Sequence, residues 1–305
     1  MRRRLRRLLV PASKVRRKEE PLFEFAIGIY AGRSPFELAP HPMVSSPVIT
    51  QEAVTDERAD LVADPFMVRA EGRWHMFFEV VNRQTWKGKV GLAQSDDGLS
   101  WTYRGIVLAE PFHLSYPYVF EWRDEFYMIP ESYKAGAVRL YRAVDFPTRW
   151  SCVRTLLQGS HLRDASILRH DGRWWLFAET SPRRTFDTLR LYHAQELTGP
   201  WREHPRSPIV RENPRAARPA GRLLPLGGTI LRFAQDCVPH YGTRVRAFEI
   251  TELTPRHYRE RPASERPVLG PGPSGWNADG MHHLDLHPDG QGGWIACVDG
   301  WSWVG

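Results

Sequence analysis

The sequence predicts an all-β protein that folds as a five-bladed β-propeller. Three observations lead to this fold class: a repeat with a period near fifty residues, a common two-part pattern inside each repeat, and matching incomplete halves at the two ends of the chain. The composition agrees, because 24 Gly and 25 Pro among 305 residues suit many short strands joined by tight turns. The 12 Trp, 10 Tyr and 14 Phe residues are sufficient for a packed core.

The repeat is clearest in its first three copies, where the same features recur at fixed spacing. Asp64, Tyr116 and Asp164 each open a strand-like segment. A turn residue follows after eight positions, and a glutamate follows after fifteen: Glu79, Glu131 and Glu179. Looser copies run from Arg218 to Gln235 and from His282 to Asp299. The five starting positions, 64, 116, 164, 218 and 282, are separated by 52, 48, 54 and 64 residues, a spacing typical of propeller blades.

A second half-repeat between these copies predicts the outer strands of each blade. It consists of a short apolar strand followed by a turn and a tryptophan, as in residues 90–101, 140–150 and 191–201. The fifth copy has no outer half, since the sequence stops shortly after Asp299. Residues 25–49 match the missing half, so N-terminal strands are predicted to complete the last blade and close the ring, which removes an exposed sheet edge.

The residues that open the five blades, together with the polar residues that end the neighbouring strands, predict a polar funnel. The first residue of one strand and the last residue of its hairpin partner lie at the same end, so we expect the residues of both sets to converge at one rim. Crowded carboxylates have pKa values that are pushed apart, as acid–base chemistry requires. A sugar is the expected ligand, and Arg and His also suit a phosphate or carboxylate. The glutamates have a structural alternative, capping loops or pairing with arginine.

Charge is concentrated at the N-terminus. Nine Lys and Arg residues lie among the first 18, more than the whole formal net charge of +7, so the rest of the chain is slightly acidic. Residues 1–20 are expected to be a disordered basic tail, with weak contact to an anionic membrane as the alternative, and residues 21–305 to form the propeller. No nucleic-acid partner is expected, because the basic excess belongs to this tail.

Neither a cofactor nor a metal is expected. The three cysteines, Cys152, Cys237 and Cys297, are widely spaced and form no CxxC motif, so no disulfide framework or zinc site is indicated. No segment approaches the run of about 20 apolar residues of a membrane span, and the N-terminus lacks the apolar core of a secretory signal. A cytoplasmic location, including the inner membrane surface, is the expectation.

The sequence resembles the five-bladed glycoside hydrolases of families 43, 32, 68 and 130. The start of blade one (residues 63–66), the start of blade three (163–165) and the outer turn at 95–101 carry this resemblance. Over residues 25–300 the sequence is more similar to the N-terminal-like domain of glucosamine inositolphosphorylceramide transferases than to these hydrolases. That similarity rests on residues 27–30, 77–79, 113–117, 130–132, 199–201, 235–236 and 241–242.

The hydrolase resemblance implies roles for two residues and leaves a third open. It places Asp64 where the base or nucleophile lies and Asp164 where an acid stabilises the transition state. Blade four departs from the pattern, since it has Arg218 where those hydrolases have their general-acid glutamate. Glu131 is the preferred substitute, with Glu179 as the alternative. The remaining candidate substrate-binding residues are Glu79, Tyr116, Glu179, Arg218, Asp236, His282 and His283.

Two functions remain open on this basis. The first is a carbohydrate-active enzyme of intracellular glycan or glycoconjugate biosynthesis that cleaves or transfers a glycosyl group. Its substrate is expected to be a sugar or glycoconjugate, with a phosphorylated or nucleotide-activated sugar as one form. The alternative is a non-catalytic sugar-binding propeller that serves a glycan-assembly system. The missing acid of blade four favours the second function, and the set of non-identical funnel residues argues against a purely structural scaffold.

Overall fold

The computed structural model describes residues 23–303, and the predicted basic tail at residues 1–20 lies outside the described residues. The chain begins with strands β1 (Phe23–Gly32) and β2 (Ala39–Pro40). Beyond them, the described part of the chain is a ring of antiparallel sheets with two short 3-10 helices, Gln51–Ala53 and Tyr133–Ala135. Neither helix has the length or the apolar character that a membrane crossing requires.

The first three blades are four-stranded sheets whose strands follow one another in chain order. Blade one contains β3 (Ala59–Ala70), β4 (Arg73–Asn82), β5 (Gly88–Ser95) and β6 (Thr102–Leu108). Blade two contains β7 (Ser115–Trp122), β8 (Glu125–Glu131), β9 (Ala137–Asp145) and β10 (Arg149–Gln158). Blade three contains β11 (Arg163–His170), β12 (Arg173–Glu179), β13 (Leu189–Ala194) and β14 (Arg202–Glu203).

The last two blades complete the ring. Blade four contains β15 (Arg218–Pro219), β16 (Leu224–Leu226), β17 (Thr229–Asp236), β18 (Arg244–Leu253) and β19 (Tyr258–Pro262). Blade five contains β20 (Gly280–Pro288) and β21 (Trp294–Trp303). Its outer strands are β1 and β2, because β1 pairs with β21 from Phe23 opposite Trp303 to Gly32 opposite Trp294. The predicted five-bladed fold, with N-terminal strands in the last blade, is confirmed.

A β-bulge explains why the repeat is so regular at the first strand of each blade. In blade one Ala63 lies opposite Glu79 and Phe66 lies opposite Phe77, so two residues face one. The same irregularity occurs at the start of β7 and of β11. The residue that opens each bulge has a left-handed φ, 53° at Asp64, 46° at Tyr116 and 47° at Asp164. A bulge bends its strand and re-aims the side chain, which here happens beside the funnel.

Aromatic side chains fill the spaces between neighbouring blades. Phe77 of blade one meets Trp150 of blade two with ring centroids 5.5 Å apart. Trp122 of blade two meets Trp174 of blade three at 5.2 Å. Burying side chains of this size stabilises the fold by about 1.5–3 kcal/mol each. The ring is thus held by blade-to-blade packing, and this leaves the inner strand ends free to carry polar groups.

Candidate active site in the funnel

The first strand residues of different blades contact one another at one end of the funnel. Asp164 of blade three hydrogen-bonds to Arg218 of blade four, and Asp64 of blade one lies beside His282 of blade five. Glu131, the last residue of β8 in blade two, approaches both members of the first pair. These five side chains are buried, although Arg218 and Asp64 keep 8 % and 5 % of their surface exposed. The structure therefore brings together residues from all five blades.

Arg218, Asp164 and Glu131 form one connected cluster. The guanidinium of Arg218 donates from Nε to Asp164 Oδ2 at 2.5 Å and from Nη2 to Oδ1 at 3.3 Å. Nη2 also lies 3.7 Å from Glu131 Oε2, and the same oxygen accepts the backbone N–H of Asp164 at 3.3 Å. Gln235 adds a hydrogen bond to Asp164 Oδ2. Asp164 is therefore a fully buried anion whose charge is balanced mainly by Arg218.

The two carboxyl groups of this cluster are shifted in opposite directions. Burial opposes ionisation of Asp164, but the charge and hydrogen bonds of Arg218 outweigh it and hold the pKa of Asp164 below its usual value. Burial raises the pKa of Glu131 well above its usual value, and the negative charge of Asp164 raises it further. The raised pKa favours the protonated form of Glu131 beside the Asp164 carboxylate, and a proton donor needs this form at neutral pH.

The second cluster joins Asp64, His282 and Asp299. His282 Nδ1 lies 2.6 Å from Asp299 Oδ1, and its Nε2 lies 3.7 Å from Asp64 Oδ1. Burial alone would lower the pKa of His282, but Asp299 and Asp64 raise it to about 9, so the ring is an imidazolium at neutral pH. The pKa of Asp299 is lowered because His282 outweighs its burial. Burial raises the pKa of Asp64 well above its usual value, with His282 opposing the shift.

Ligand atoms of Asp64, His282 and Asp299 lie within 4.8 Å of one another, a spacing that a metal ion can bridge. A metal must take a neutral imidazole, however, and His282 carries a proton between two acids. The imidazolium already supplies a positive charge at this position. A metal would therefore have to displace that proton.

Tyr116 and His283, two candidate substrate-binding residues, are fully buried. The Tyr116 hydroxyl accepts the Gly221 N–H at 2.7 Å and lies 2.7 Å from Ser166 Oγ, so both of its hydrogen-bonding roles are used. His283 packs against the rings of Phe66 and Tyr116, and burial lowers its pKa to about 4. In the structure both side chains therefore lie in the protein interior, in contact with neighbouring residues of the protein.

The remaining candidate residues, Glu79, Glu179 and Asp236, form ion pairs or hydrogen bonds with residues outside the two clusters. Glu79 lies 3.0 Å from His113 Nε2, which carries the ring proton because Nδ1 accepts the Gly88 N–H. Glu179 accepts hydrogen bonds from Arg163 and from the Ser181 N–H. Asp236 follows Gln235 on the opposite side of β17, where Arg215 and Arg246 bind its carboxylate. These three acids are paired with basic groups in the structure.

Two aromatic residues of the site went unrecognised in the sequence. The rings of Phe186 and Tyr241 lie on the Arg218 guanidinium, each with its centroid 4.8 Å from Cζ. Tyr241 also meets the ring of His282, with centroids 5.3 Å apart, and so joins the two clusters. Both residues lie in loops at the funnel mouth, where no periodic pattern marks them. The available signals were that each occupies the loop between the inner and outer strands of its blade, and that Tyr241 belongs to segment 241–242 of the family resemblance.

The amino-acid sequence matches known proteins over nearly its whole length. A family model described as glucosamine inositolphosphorylceramide transferase 1, N-terminal, matches residues 18–301. A protein of that name from Oryza sativa subsp. japonica is 37% identical over 300 residues, which cover 90% of this chain and 40% of the relative. The Arabidopsis thaliana protein of the same name is 32% identical and is matched over 40% of its length. The chain thus spans less than half of these relatives.

Several solved structures with the same fold are glycoside hydrolases. The catalytic domain of a Coprinopsis cinerea family 62 α-L-arabinofuranosidase has a TM-score of 0.60 and 12% identity, covering 90% of this chain and 97% of that one. A thermostable family 43 glycoside hydrolase has a TM-score of 0.60 and 15% identity, with coverages of 86% and 92%. A family 117 enzyme from Zobellia galactanivorans has a TM-score of 0.53 and 16% identity, with coverages of 79% and 84%. At these identities the likeness concerns the fold.

Proposed function

The chain belongs to the family of the N-terminal domain of glucosamine inositolphosphorylceramide transferase 1, and from this we propose that its funnel binds a sugar or glycoconjugate and catalyses cleavage or transfer of a glycosyl group. The relatives' name describes a transferase, which favours a biosynthetic step, with a phosphorylated or nucleotide-activated sugar as one form of the substrate. An intracellular setting, in the cytoplasm or at the inner membrane surface, belongs to the same proposal.

In the proposed reaction two carboxyl groups move the protons. Glu131 donates its proton to the glycosidic oxygen as the bond from that oxygen to the anomeric carbon breaks. Asp64, whose ionised form is favoured by the neighbouring His282 imidazolium against the effect of burial, accepts the proton of the incoming hydroxyl, from water or from an acceptor, as the new bond to the anomeric carbon forms. Asp164 remains ionised and stabilises the positive charge that develops on the sugar in an oxocarbenium-like transition state.

The opposite pKa shifts of Glu131 and Asp164, in direct contact, are the observation that carries this proposal. An acid–base pair whose members are pushed apart is typical of active sites, because one group must be protonated while the other is ionised. A purely structural ion pair between Arg218 and Asp164 does not require a second buried carboxyl group. Glu131 costs the fold a desolvation that a neutral, well-packed residue would avoid.

Isosteric substitutions test the proposed roles. Glu131→Gln keeps the shape and hydrogen-bonding ability of a protonated glutamate but cannot donate a proton, so we expect turnover to fall about 10²- to 10⁴-fold with little change in sugar binding. Glu125→Gln, at the exposed end of the same strand β8, is the matched control and should behave as wild type. Retention of wild-type turnover by the Glu131→Gln protein would exclude Glu131 as the acid.

A non-catalytic sugar-binding module is the second candidate function. Arg218 supports it, because it occupies the blade-four position of the hydrolase acid and neutralises Asp164. The chain also spans 40% of its relatives, so a reaction carried by the rest of their length is compatible with a binding role here. The two functions predict different results. If the propeller is a binding module, it binds a sugar, but neither the wild type nor the Glu131→Gln protein shows turnover.

A further inference from the structure

The acids of the funnel are too deeply buried to contact a sugar in the arrangement that the structure shows. Asp164 exposes 1 % of its side chain and Glu131 exposes 5 %. A carboxyl group that exchanges a proton with a sugar oxygen must come within about 2.6–3.2 Å of that oxygen, so its own oxygens must be accessible. A part of the protein that covers these acids therefore has to move before a ligand binds.

Two aromatic rings from different blades cover the guanidinium that holds Asp164. Phe186 belongs to the loop between β12 and β13 of blade three, and Tyr241 belongs to the loop between β17 and β18 of blade four. The ring centroids lie 5.3 Å apart, and each lies 4.8 Å from Arg218 Cζ. Because the rings pack against each other over Arg218, access to the Arg218–Asp164 pair from this side requires that one of them leave.

The loop that carries Tyr241 is held to blade five by hydrogen bonds. The Gly242 carbonyl accepts the indole N–H of Trp301 at 3.0 Å, and this hydrogen bond is buried. The Thr243 carbonyl accepts the backbone N–H of Met281 at 3.4 Å. Displacement of Tyr241 would break these contacts on both sides of its neighbouring residues. Tyr241 is therefore the fixed half of the cover.

The loop that carries Phe186 is held only at its base. Thr180 donates its backbone N–H to the Thr188 carbonyl, and the Asp187 carbonyl accepts the N–H of Asn213. Within residues 23–303, the backbone of residues 182–186 forms no hydrogen bond to other backbone groups. Residues 182–185 are exposed. A segment with few buried contacts and unprotected backbone groups belongs to the part of a fold that opens most easily.

The conformation of this loop tip is strained and depends on few contacts. Arg184 and Phe186 have left-handed φ values of 53° and 54°, which are uncommon for residues other than glycine. Such conformations persist only where the surrounding contacts hold them. The tip is held by the packing of Phe186 over Arg218 and by a hydrogen bond from Arg184 Nη2 to the hydroxyl of Tyr133 in blade two, at 2.9 Å. Loss of these contacts lets both residues leave the strained conformation.

We propose that residues 182–186 form a lid of the funnel, in which Phe186 covers Arg218 in the closed state and the hydrogen bond between Arg184 and Tyr133 is the latch. Opening moves Phe186 off the guanidinium and admits the sugar. Closing excludes water from the Arg218–Asp164 pair, where charges interact more strongly in a dry environment. This inference rests on the proposed function for the kind of ligand, but the lid itself is a property of the free protein.

Chemical modification of Arg218 measures opening without any sugar. Phenylglyoxal reacts with guanidinium groups that solvent can reach, and peptide mass spectrometry gives the rate for each arginine. Arg218 should react slowly, and Arg215, with a side chain that is 48 % exposed, is the internal reference. Tyr133→Phe and Arg184→Gln should each raise the Arg218 rate about two- to tenfold, as expected when one hydrogen bond is lost. The double variant should react no faster than either single variant, because both substitutions remove the same contact.

Two control variants separate the latch from general effects. Arg183→Gln makes the same charge change one residue away from Arg184. Tyr127→Phe removes a hydroxyl that donates to Glu125 near the other end of β8. Both controls should react as wild type, and melting temperatures equal to that of wild type show that all variants fold. Equal acceleration by Arg183→Gln and Arg184→Gln would assign the effect to charge and overturn the latch.

Phe186→Ala tests the cover itself, since it removes the ring without touching the latch. It should raise the Arg218 rate at least as much as Tyr133→Phe does. An Arg218 rate that neither substitution changes would overturn the lid, as would a wild-type Arg218 that reacts as fast as Arg215. No sugar or turnover enters these measurements, so a protein without turnover can still have the lid, and failure of the lid leaves the proposed glycosyl chemistry standing.

Discussion

Arg218 of blade four holds Asp164 of blade three through two hydrogen bonds, and the rings of Phe186 and Tyr241 cover the guanidinium on which this contact depends. The pair is almost completely removed from solvent, with 10 % of the arginine side chain and 1 % of the aspartate side chain exposed. Position 218 is where the resemblance to hydrolases would place an acid. The inversion of charge there changes what the funnel can do, because Arg218 holds Asp164 as an anion, and the charge of Asp164 adds to burial in raising the pKa of Glu131.

The Arg218–Asp164 pair should be essential for stability. Arg218→Met leaves Asp164 as a buried charge without a partner, which we expect to lower the free energy of unfolding by about 3–5 kcal/mol. Urea denaturation at pH 7 measures this, and the double variant Arg218→Met/Asp164→Asn should recover most of the loss. Arg73→Met, which breaks the exposed pair with Asp96, is the control and should cost about 1 kcal/mol or less. A similarly small loss in Arg218→Met would contradict burial of the pair.

The raised pKa of Glu131 predicts that Glu131→Gln stabilises the protein at neutral pH. A carboxyl group whose folded pKa is raised binds more protons in the folded state, so its contribution to stability declines as pH rises above the unfolded value near ~4.3. Glutamine removes this decline, worth about 1.4 kcal/mol for each pKa unit. Unfolding measured at pH 4 and pH 7 should show equal stabilities at pH 4 and a more stable variant at pH 7. A variant that is less stable at pH 7 would indicate an ionised Glu131.

His282 should make the protein less stable in mildly alkaline solution. Its folded pKa of about 9 lies above the unfolded value near ~6.5, so the stability it contributes is fully present below pH ~6.5 and is lost as pH rises through 9. The difference in unfolding free energy between wild type and His282→Gln should therefore shrink across this window. His257→Gln, which changes an exposed histidine, controls for general effects of pH. A difference that stays constant from pH 6 to pH 10 would mean that His282 does not titrate as an imidazolium.

Tyr116→Phe separates a structural from a ligand-binding role. The hydroxyl accepts the Gly221 N–H and donates within a fully buried network, so its removal leaves a backbone donor unsatisfied at a cost of about 1–3 kcal/mol. Sugar affinity should not change, because no part of Tyr116 reaches the funnel surface. Tyr118→Phe, which loses one hydrogen bond to the Ile167 carbonyl, should cost less. Weaker sugar binding by Tyr116→Phe at unchanged stability would contradict this prediction and indicate that the Tyr116 hydroxyl contacts the sugar.

The repeat was readable in the sequence because its positions are tied to backbone geometry. The bulge residues 64, 116 and 164 directly follow residues 63, 115 and 163, which pair with the glutamates 79, 131 and 179 across one hairpin, so the spacing cannot drift. The partners of the glutamates could not be predicted in the same way. Glu79 meets His113 and Glu179 meets Arg163, whereas Glu131 meets Asp164. His113 lies in the linker before β7, whereas Arg163 and Asp164 are the first residues of β11, so the repeat does not predict which residue each glutamate contacts.

Strand pleating and loop packing explain the other features of the site that the sequence did not predict. Asp236 was a candidate for the funnel, but it directly follows Gln235, and successive side chains of a strand point to opposite faces. Gln235 contacts Asp164, and Asp236 faces Arg215 and Arg246. Phe186 and Tyr241 reach Arg218 from loops of two different blades. Their position depends on how the blades of the ring pack together. The sequence predicts the order of the strands but not this packing.

Gly221 of blade four forms a backbone bridge with Leu284 of blade five, and its substitution tests the closure of the ring. Gly221 has a φ of 132° and bridges Leu284, and a Cβ at this position would lie 1.7 Å from the Leu284 carbonyl oxygen. Because backbone cannot yield like a side chain, Gly221→Ala should cost more than about 4 kcal/mol or prevent folding. Gly228→Ala is the matched control, with φ of 85° and nothing within 4 Å of the added carbon, so it carries only backbone strain of about 1 kcal/mol. Thermal unfolding of both variants, with soluble yield as a second readout, distinguishes steric exclusion from strain. Equal losses in the two variants would mean that the close approach of Gly221 to blade five does not hold the ring.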